Sequence, residues 1–351
     1  MPRPRLVVFF ATLIHIHILQ LSVPGLVTVN NELDPISASQ NAAVEQGGGL
    51  KDIGIFRGDS VDGGRGVCKR ELRMDRICCS AHGLSLLITG IKGDKRHTIL
   101  LDTGPEEMIF ELNAKRLRAE VGNIEVVQLS HWHRDHSGGM LRVLQMANAA
   151  KQHNFPISVD LHPNRPDYRG IMAMAPISME ADPSFAEIEH AGGRAAKSDK
   201  AHTVLDDMFL VSGEIPRVTS YELGLKRGIR FVAEKDEWEE DTLMQDERFL
   251  MCKLKDKGVV LFTGCSHAGV VNASRHAVEL GKGTPLYAVM GGFHLADGEP
   301  DTIAHTVADL KALDPKVLLT GHCTGWRAKF ELEKAMPGRL VPSFVGCMFK
   351  L

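Results

Sequence analysis

A chain of 351 residues can bury one large core or two modest ones, and 44% hydrophobic with 24% charged residues excludes both a disordered chain and a polytopic membrane protein. With 41 Lys and Arg against 44 Asp and Glu the formal net charge is −3; no polyanionic partner is implied, and no basic stripe with interleaved aromatics points to nucleic acid. The seven cysteines, at 68, 78, 79, 252, 265, 323 and 347, contain no C-x-x-C pair, so a disulfide framework is not expected and a reducing compartment, the cytoplasm, is.

Residues 1–25 open with Pro-Arg-Pro-Arg and an apolar run from 6 to 21, which reads as a leader or a signal peptide. The run is too short and too interrupted by polar residues for a spanning helix, so stable membrane insertion is not expected. Residues 26–351 read as a single domain with insertions near 36–68, where Gly47, Gly48, Gly49, Gly63 and Gly64 break any helical period, and near 162–200, rich in Pro and Gly with room for one short helix. From Cys78 onward short β-branched runs alternate with amphipathic stretches, the pattern of an α/β fold. Strands are expected over 84–89, 98–102, 125–129, 157–161, 204–211, 229–233, 249–254, 258–263, 286–290 and 316–319. Helices are expected over 106–119, 139–152, 270–280, 301–313 and 326–335, with Met140, Leu141, Leu144 and Ala147 at helical spacing.

The chemistry is concentrated in Leu129-Ser130-His131-Trp132-His133-Arg134-Asp135-His136-Ser137-Gly138-Gly139, which follows an apolar strand and opens a helix. In extended backbone, residues two apart face the same way, so His131 and His133 can present two imidazoles to one cation. Asp135 and His136 lie on the turn into the helix and can serve a second cation nearby. Four nitrogen and oxygen ligands within six residues suit zinc, and burying them unpaired would be costly. Three further strand ends deliver a histidine beside glycine: His267 in Gly264-Cys265-Ser266-His267, His294 in Gly291-Gly292-Phe293-His294, and His322 in Gly321-His322-Cys323. His267 and His322 read as ligands, and His294 as a contact to ligand or substrate. Cys265 and Cys323 are either ligands or buried thiols, with burial favoured. Asp102 could accept a ligand histidine's second N–H. His82 could line the site, whereas the remaining histidines read as surface residues.

The run from His131 to His136 resembles the H-x-H-x-D-H motif of the metallo-β-lactamase superfamily. More narrowly, Asp102-Thr103-Gly104, Ser130 to Gly139, Gly213-Glu214-Ile215-Pro216-Arg217, Gly264 to Gly269, Gly291 to Leu295 and Gly321 to Gly325 resemble its dihydropteroate-synthase-like branch. That branch includes archaeal synthases joining a pterin to a ribofuranosyl-aminobenzene phosphate; the 36–68 insertion, Trp132 and Arg134 resemble fungal members. The resemblance implies a four-layer αβ/βα sandwich with a dinuclear centre at the sheet edge. It also implies His131, His133 and His267 on one metal and Asp135, His136 and His322 on the other. The chain departs from better-known members in two places: a Glu-Ile-Pro-Arg turn stands where many place a histidine, and Cys265 stands at the usual bridging aspartate.

The expected activity is hydrolysis of a small, anionic substrate through two divalent ions, zinc first with iron or manganese as alternatives. Asp135 would ligate and orient the water, Arg217 would hold the anionic group, and His294 would contact the substrate. Group transfer on a pterin-like phosphorylated heterocycle, a non-catalytic metal-containing binding protein and a di-iron redox protein are the alternatives.

Overall fold

A computed structural model of the protein describes residues 18–19, 24–57, 70–151 and 154–351. Most of the leader segment, together with Gly63, Gly64, Cys68 and His153, lies outside the described residues.

Two large sheets pack face to face. The first runs in the order Gly193–Lys197, Ile157–Leu161, Ile124–Gln128, Lys95–Leu101, Ser85–Lys92, Pro24–Val29, Met348–Lys350 and Glu45–Gly47. The second runs His202–Val204, Phe209–Val211, Leu250–Leu254, Gly258–Thr263, Leu286–Gly291 and Val317–Thr320, with Ile18–Leu19 pairing in parallel with Leu250–Leu254. Alternation along each strand decides the layers. Leu86, Ile88, Ile99 and Leu101 point inward to meet Leu250, Cys252, Val260 and Phe262 from the facing sheet. Their neighbours Leu87 and Leu100 point outward beneath the helices Glu107–Leu117 and Met140–Ala150, which contribute Phe110, Val143 and Leu144. On the other side Met251, Val259 and Leu261 lie under Val270–Leu280, Pro300–Leu313 and Trp326–Ala335. The result is helix, sheet, sheet, helix: a four-layer αβ/βα sandwich.

The structure departs from the sequence expectation in identifiable places. The run 204–211 is not one strand but a hairpin, because Leu205, Asp206 and Asp207 all take left-handed backbone and reverse the chain between Val204 and Phe209. Within 162–200 there is the expected short helix, Phe185–His190, capped by Ser184 and Glu187 in a reciprocal box. The same stretch also holds the strands Tyr168–Met172 and Pro176–Ser178, which join Gly228–Val232 and Glu237–Glu240 in a small separate sheet. Glu237–Glu240 escapes a propensity reading because three of its four residues are glutamate. Within 36–68, Glu45–Gly47 adds an edge strand beside Met348–Lys350, and Met348–Lys350 also pairs with Pro24–Val29, so three segments distant along the chain share this edge of the first sheet.

The arrangement that matters for chemistry is direction. Lys95–Leu101 and Ile124–Gln128 are parallel, as are Gly258–Thr263, Leu286–Gly291 and Val317–Thr320, so each group discharges its loops at its carboxyl end. Loops from both sheets meet along one rim. Among the described residues no helix is long and apolar enough to cross a membrane.

Candidate metal centre

Every strand end named above delivers side chains to that rim. Asp102 follows Lys95–Leu101, Ser130 and His131 follow Ile124–Gln128, and Cys265 to His267 follow Gly258–Thr263; His294 and His322 follow the next two strands. Asp102, Ser266, His294 and His322 all take left-handed backbone, a conformation non-glycine residues adopt sparingly and one that gathers at functional sites. The two sheets' loops touch at Gly264, where an added Cβ would lie 2.2 Å from Ser130 Oγ and 3.1 Å from Asp102 Oδ2, so only glycine lets this strand end cross there.

Seven side chains fall into two groups. Asp135, His136, Cys265 and His322 offer ligand atoms within 4.8 Å of one another, and so do His131, His133 and His267. All six residues expected from the sequence as ligands are thus brought together, and Cys265 joins them.

Hydrogen bonds fix which ring nitrogen of several histidines is free. The Asp102 carboxylate accepts from Ser130 N at 2.7 Å and from both Ser130 Oγ, at 2.8 Å, and His136 Nδ1, at 2.6 Å. Since the Ser130 proton goes to Asp102, its Oγ accepts from His131 Nδ1 at 2.9 Å. Asn31 Oδ1 accepts from Gly83 N, which sets the amide's orientation, and from His322 Nδ1, each at 2.9 Å. His131, His136 and His322 therefore donate through Nδ1 to fixed acceptors and turn Nε2 inward.

The first group is a cluster of acceptors. His136 Nε2 and His322 Nε2 stand 3.2 Å apart, and each is 3.1 Å from Cys265 Sγ. Asp135 Oδ2 adds a carboxylate oxygen 3.2 Å from His322 Nε2 and 3.5 Å from His136 Nε2. Atoms this close need a proton or a cation between them. Burial pulls His136 down, yet the Asp135 and Asp102 carboxylates outweigh it and hold the imidazole well above its usual range. Burial also opposes charge on His322, but Cys323 and Asp135 push it up to about 9. The second group carries no carboxylate. Burial, reinforced by neighbouring imidazoles, holds His131 and His267 well below the ordinary histidine range; burial and then Arg169 bring His133 to about 3. His131 Nε2 and His133 Nδ1 stand 3.0 Å apart, and both ring nitrogens of His267 are buried with no hydrogen-bond partner, one of which a cation among the three rings would satisfy. Both donor sets fit a first-row divalent ion.

His294 and Arg217 lie beyond these groups. The His294 ring sits 4.4 Å from that of His267, in a cleft of about 420 Å³ that Tyr221, Lys226, Arg227 and Phe293 also line. Arg217 lines a separate small recess, where it donates to the carbonyl oxygens of His267, at 3.2 Å, and Leu243. His82 stands at the mouth of the first group, its Nε2 3.5 Å from Asp135 Oδ2 and its Nδ1 accepting from Asn31 Nδ2 at 3.0 Å. Asn30 and Asn31 are the participants that sequence reasoning missed. Asn30 Oδ1 accepts from His322 N at 2.9 Å; an Asn-Asn pair ending a strand nearly three hundred residues away gives no local signal.

No protein-family model matches the chain. The chain is 30% identical over 281 residues to the 7,8-dihydropterin-6-methyl-4-(β-D-ribofuranosyl)-aminobenzene-5′-phosphate synthase of Methanocaldococcus jannaschii, covering 75% of this chain and 90% of that protein. An uncharacterized protein of the same organism is 29% identical over 262 residues, covering 72% and 88%. Among solved structures, Tm1679, a metal-dependent hydrolase of the β-lactamase superfamily, superposes with a TM-score of 0.64 at 20% identity, covering 93% of this chain and 98% of that one. With its sandwich, its rim of convergent loops and this relative, the chain belongs to the metallo-β-lactamase-fold family that includes the Methanocaldococcus jannaschii synthase.

Proposed function

We propose that the protein is a metal-dependent hydrolase with two cations, acting on a small anionic substrate. The observation that carries this reading is the pair of donor sets, seven buried or half-buried side chains in two groups at one rim. His131, His133 and His267 would hold one ion; Asp135, His136, His322 and Cys265 the other. Cys265 thus moves from buried thiol to ligand, because its sulfur lies where two imidazole lone pairs meet. Zinc suits both sets, and iron or manganese suits the nitrogen and oxygen donors. Two such ions supply Lewis acidity and bring the pKa of a coordinated water toward about 7.

The chain's own groups divide the remaining work. Asp102 holds His131, through Ser130, and His136 in the tautomers that leave Nε2 free. The three-histidine set would leave the charge of its cation undiminished, while Asp135 and a Cys265 thiolate would offset that of theirs, so His131, His133 and His267 would favour water activation more strongly. Asp135, at 19% side-chain exposure, is the acid of the site that reaches solvent and can orient a water. His294 faces substrate in the cleft. Because Arg217 is committed to two backbone carbonyls, we assign the anionic group to Lys226 and Arg227, exposed on the cleft wall.

Replacement of His133 with Ala should abolish metal binding at its set and turnover together; full activity in a metal-free His133→Ala protein contradicts the reading. A second reading, group transfer on a phosphorylated, pterin-like substrate, is favoured by the synthase name of the 30% identical relative and would place the chain in the dihydropteroate-synthase-like branch. Incubation of phosphoesters and pterin pyrophosphates in H₂¹⁸O, followed by mass spectrometry, separates the two. Label in the product supports hydrolysis, and a joined, unlabelled product supports transfer.

A further inference from the structure

Three consecutive charged residues, Asp246, Glu247 and Arg248, are almost wholly buried, at 1%, 2% and 0% exposure. Charged side chains are rarely buried without a specific partner, and three in a row call for a reason. They stand just before the strand Leu250–Leu254, and their side chains reach alternately to the two sheets' ligand loops.

Asp246 and Arg248 reach the loop that carries His131 and His133. Asp246 Oδ2 accepts from Trp132 N at 2.8 Å, the amide between those two histidines. Arg169 closes the other side of the same residue: its Nη1 donates to Trp132 O at 2.8 Å and to Asp246 Oδ2 at 3.1 Å. Arg248 Nη2 donates to Leu129 O at 3.1 Å, its Nη1 to Asp160 Oδ1 at 2.6 Å, and its backbone N to Ser130 O at 2.8 Å. Glu247 turns the other way. Its carboxylate accepts from His267 N at 2.8 Å and Ala268 N at 2.5 Å, while Arg217 donates to His267 O. The His267 ring, whose two nitrogens have no partner, is therefore aimed by no hydrogen bond of its own but by what grips its backbone and by the rings packed around it.

We infer that Asp246, Glu247 and Arg248 are positioning residues for the three-histidine set, joining its two loops through one short segment of chain. None of the three makes a hydrogen bond to Asp135, His136, Cys265 or His322. The inference rests on the two-cation reading above and predicts a selective defect. With Glu247 removed, the His267 and Ala268 amides lose their acceptor, whereas Asp102 still holds His136, Asn31 still holds His322, and Cys265, on the strand side of the loop, loses no hydrogen bond of its own.

The test is cobalt(II) titration of the full-length protein, following both stoichiometry and the near-ultraviolet thiolate-to-cobalt band that, of the two sets, the one with Cys265 can give. Glu247→Ala should bind one cobalt in place of two, or bind the second ten- to a hundredfold more weakly, with the thiolate band unchanged. Glu247→Gln, whose amide oxygen can still accept one N–H, should recover part of the second site; it decides the matter if the alanine chain does not fold. Wild-type occupancy of both sites in Glu247→Gln and Glu247→Ala overturns the inference, as does loss of the thiolate band in step with the second ion. Wild-type protein that binds no cobalt overturns the two-cation reading itself, and this inference with it.

Discussion

Asp102 illustrates how much one carboxylate can do when buried completely. Its two oxygens take three hydrogen bonds, and through them one imidazole in each donor set is fixed. Asp102→Asn keeps the shape but turns one acceptor into a donor, which must face Ser130 or His136. Metal affinity should fall ten- to a hundredfold, the usual effect of losing an outer partner of a ligand histidine, as read by chelator competition; unchanged affinity would show that the tautomers are set in another way. Asp182 makes a different prediction. Burial raises its carboxyl to about 6 although Ser137 Oγ donates to it. The folded state then binds a proton between about 4 and 6 that the unfolded chain has released, so this residue's contribution to stability declines as pH rises through that window. Above pH 6 the deficit is complete, on the order of 2–3 kcal/mol by 1.36 kcal/mol per unit. Asp182→Asn should therefore melt higher than wild type at pH 7.5 and converge with it near pH 4. A constant difference across that range contradicts the assignment.

At the level of elements, the sandwich depends on how closely the sheets approach. Gly90, in Ser85–Lys92, lies against Phe209 of the facing sheet, and a Cβ there would be 3.0 Å from the Phe209 ring. Gly90→Val should push that ring away and cost about 1–3 kcal/mol, measured as a lower urea midpoint; an unaltered midpoint would mean the interface can absorb the extra bulk. Strands of the central layers were legible because alternating apolar residues serve both faces, as in Leu86, Leu87 and Ile88. The H-x-H-x-D-H cluster was legible for a related reason: its side chains share one short segment, so spacing alone puts them together. What spacing cannot convey is contact between distant segments. Asn31 beside His322, Asp246 beside Trp132 and Glu247 beside His267 are pairings of residues that look, along the chain, like turn or solvated-surface residues. Cys265 carries no such signal for the opposite reason, since a buried cysteine is ordinary in any core, and only its place beside His136 and His322 singles it out.

The whole molecule is two sheet-building halves whose loops share one rim, and neither half holds a full site. The three-histidine set draws His131 and His133 from the first half and His267 from the second; the other set takes Asp135 and His136 from the first and Cys265 and His322 from the second. Metal bound only by the folded chain should stabilise it by mass action, so chelation should lower the melting temperature and zinc should restore it. The most direct measurement of the central claim is elemental analysis of the purified protein combined with X-ray absorption at the metal edge. The account predicts two first-row ions per chain and a coordination shell of imidazole nitrogen and oxygen with one sulfur shared over the two ions. Less than one ion per chain after growth and reconstitution with zinc, or a shell without histidine, would contradict it.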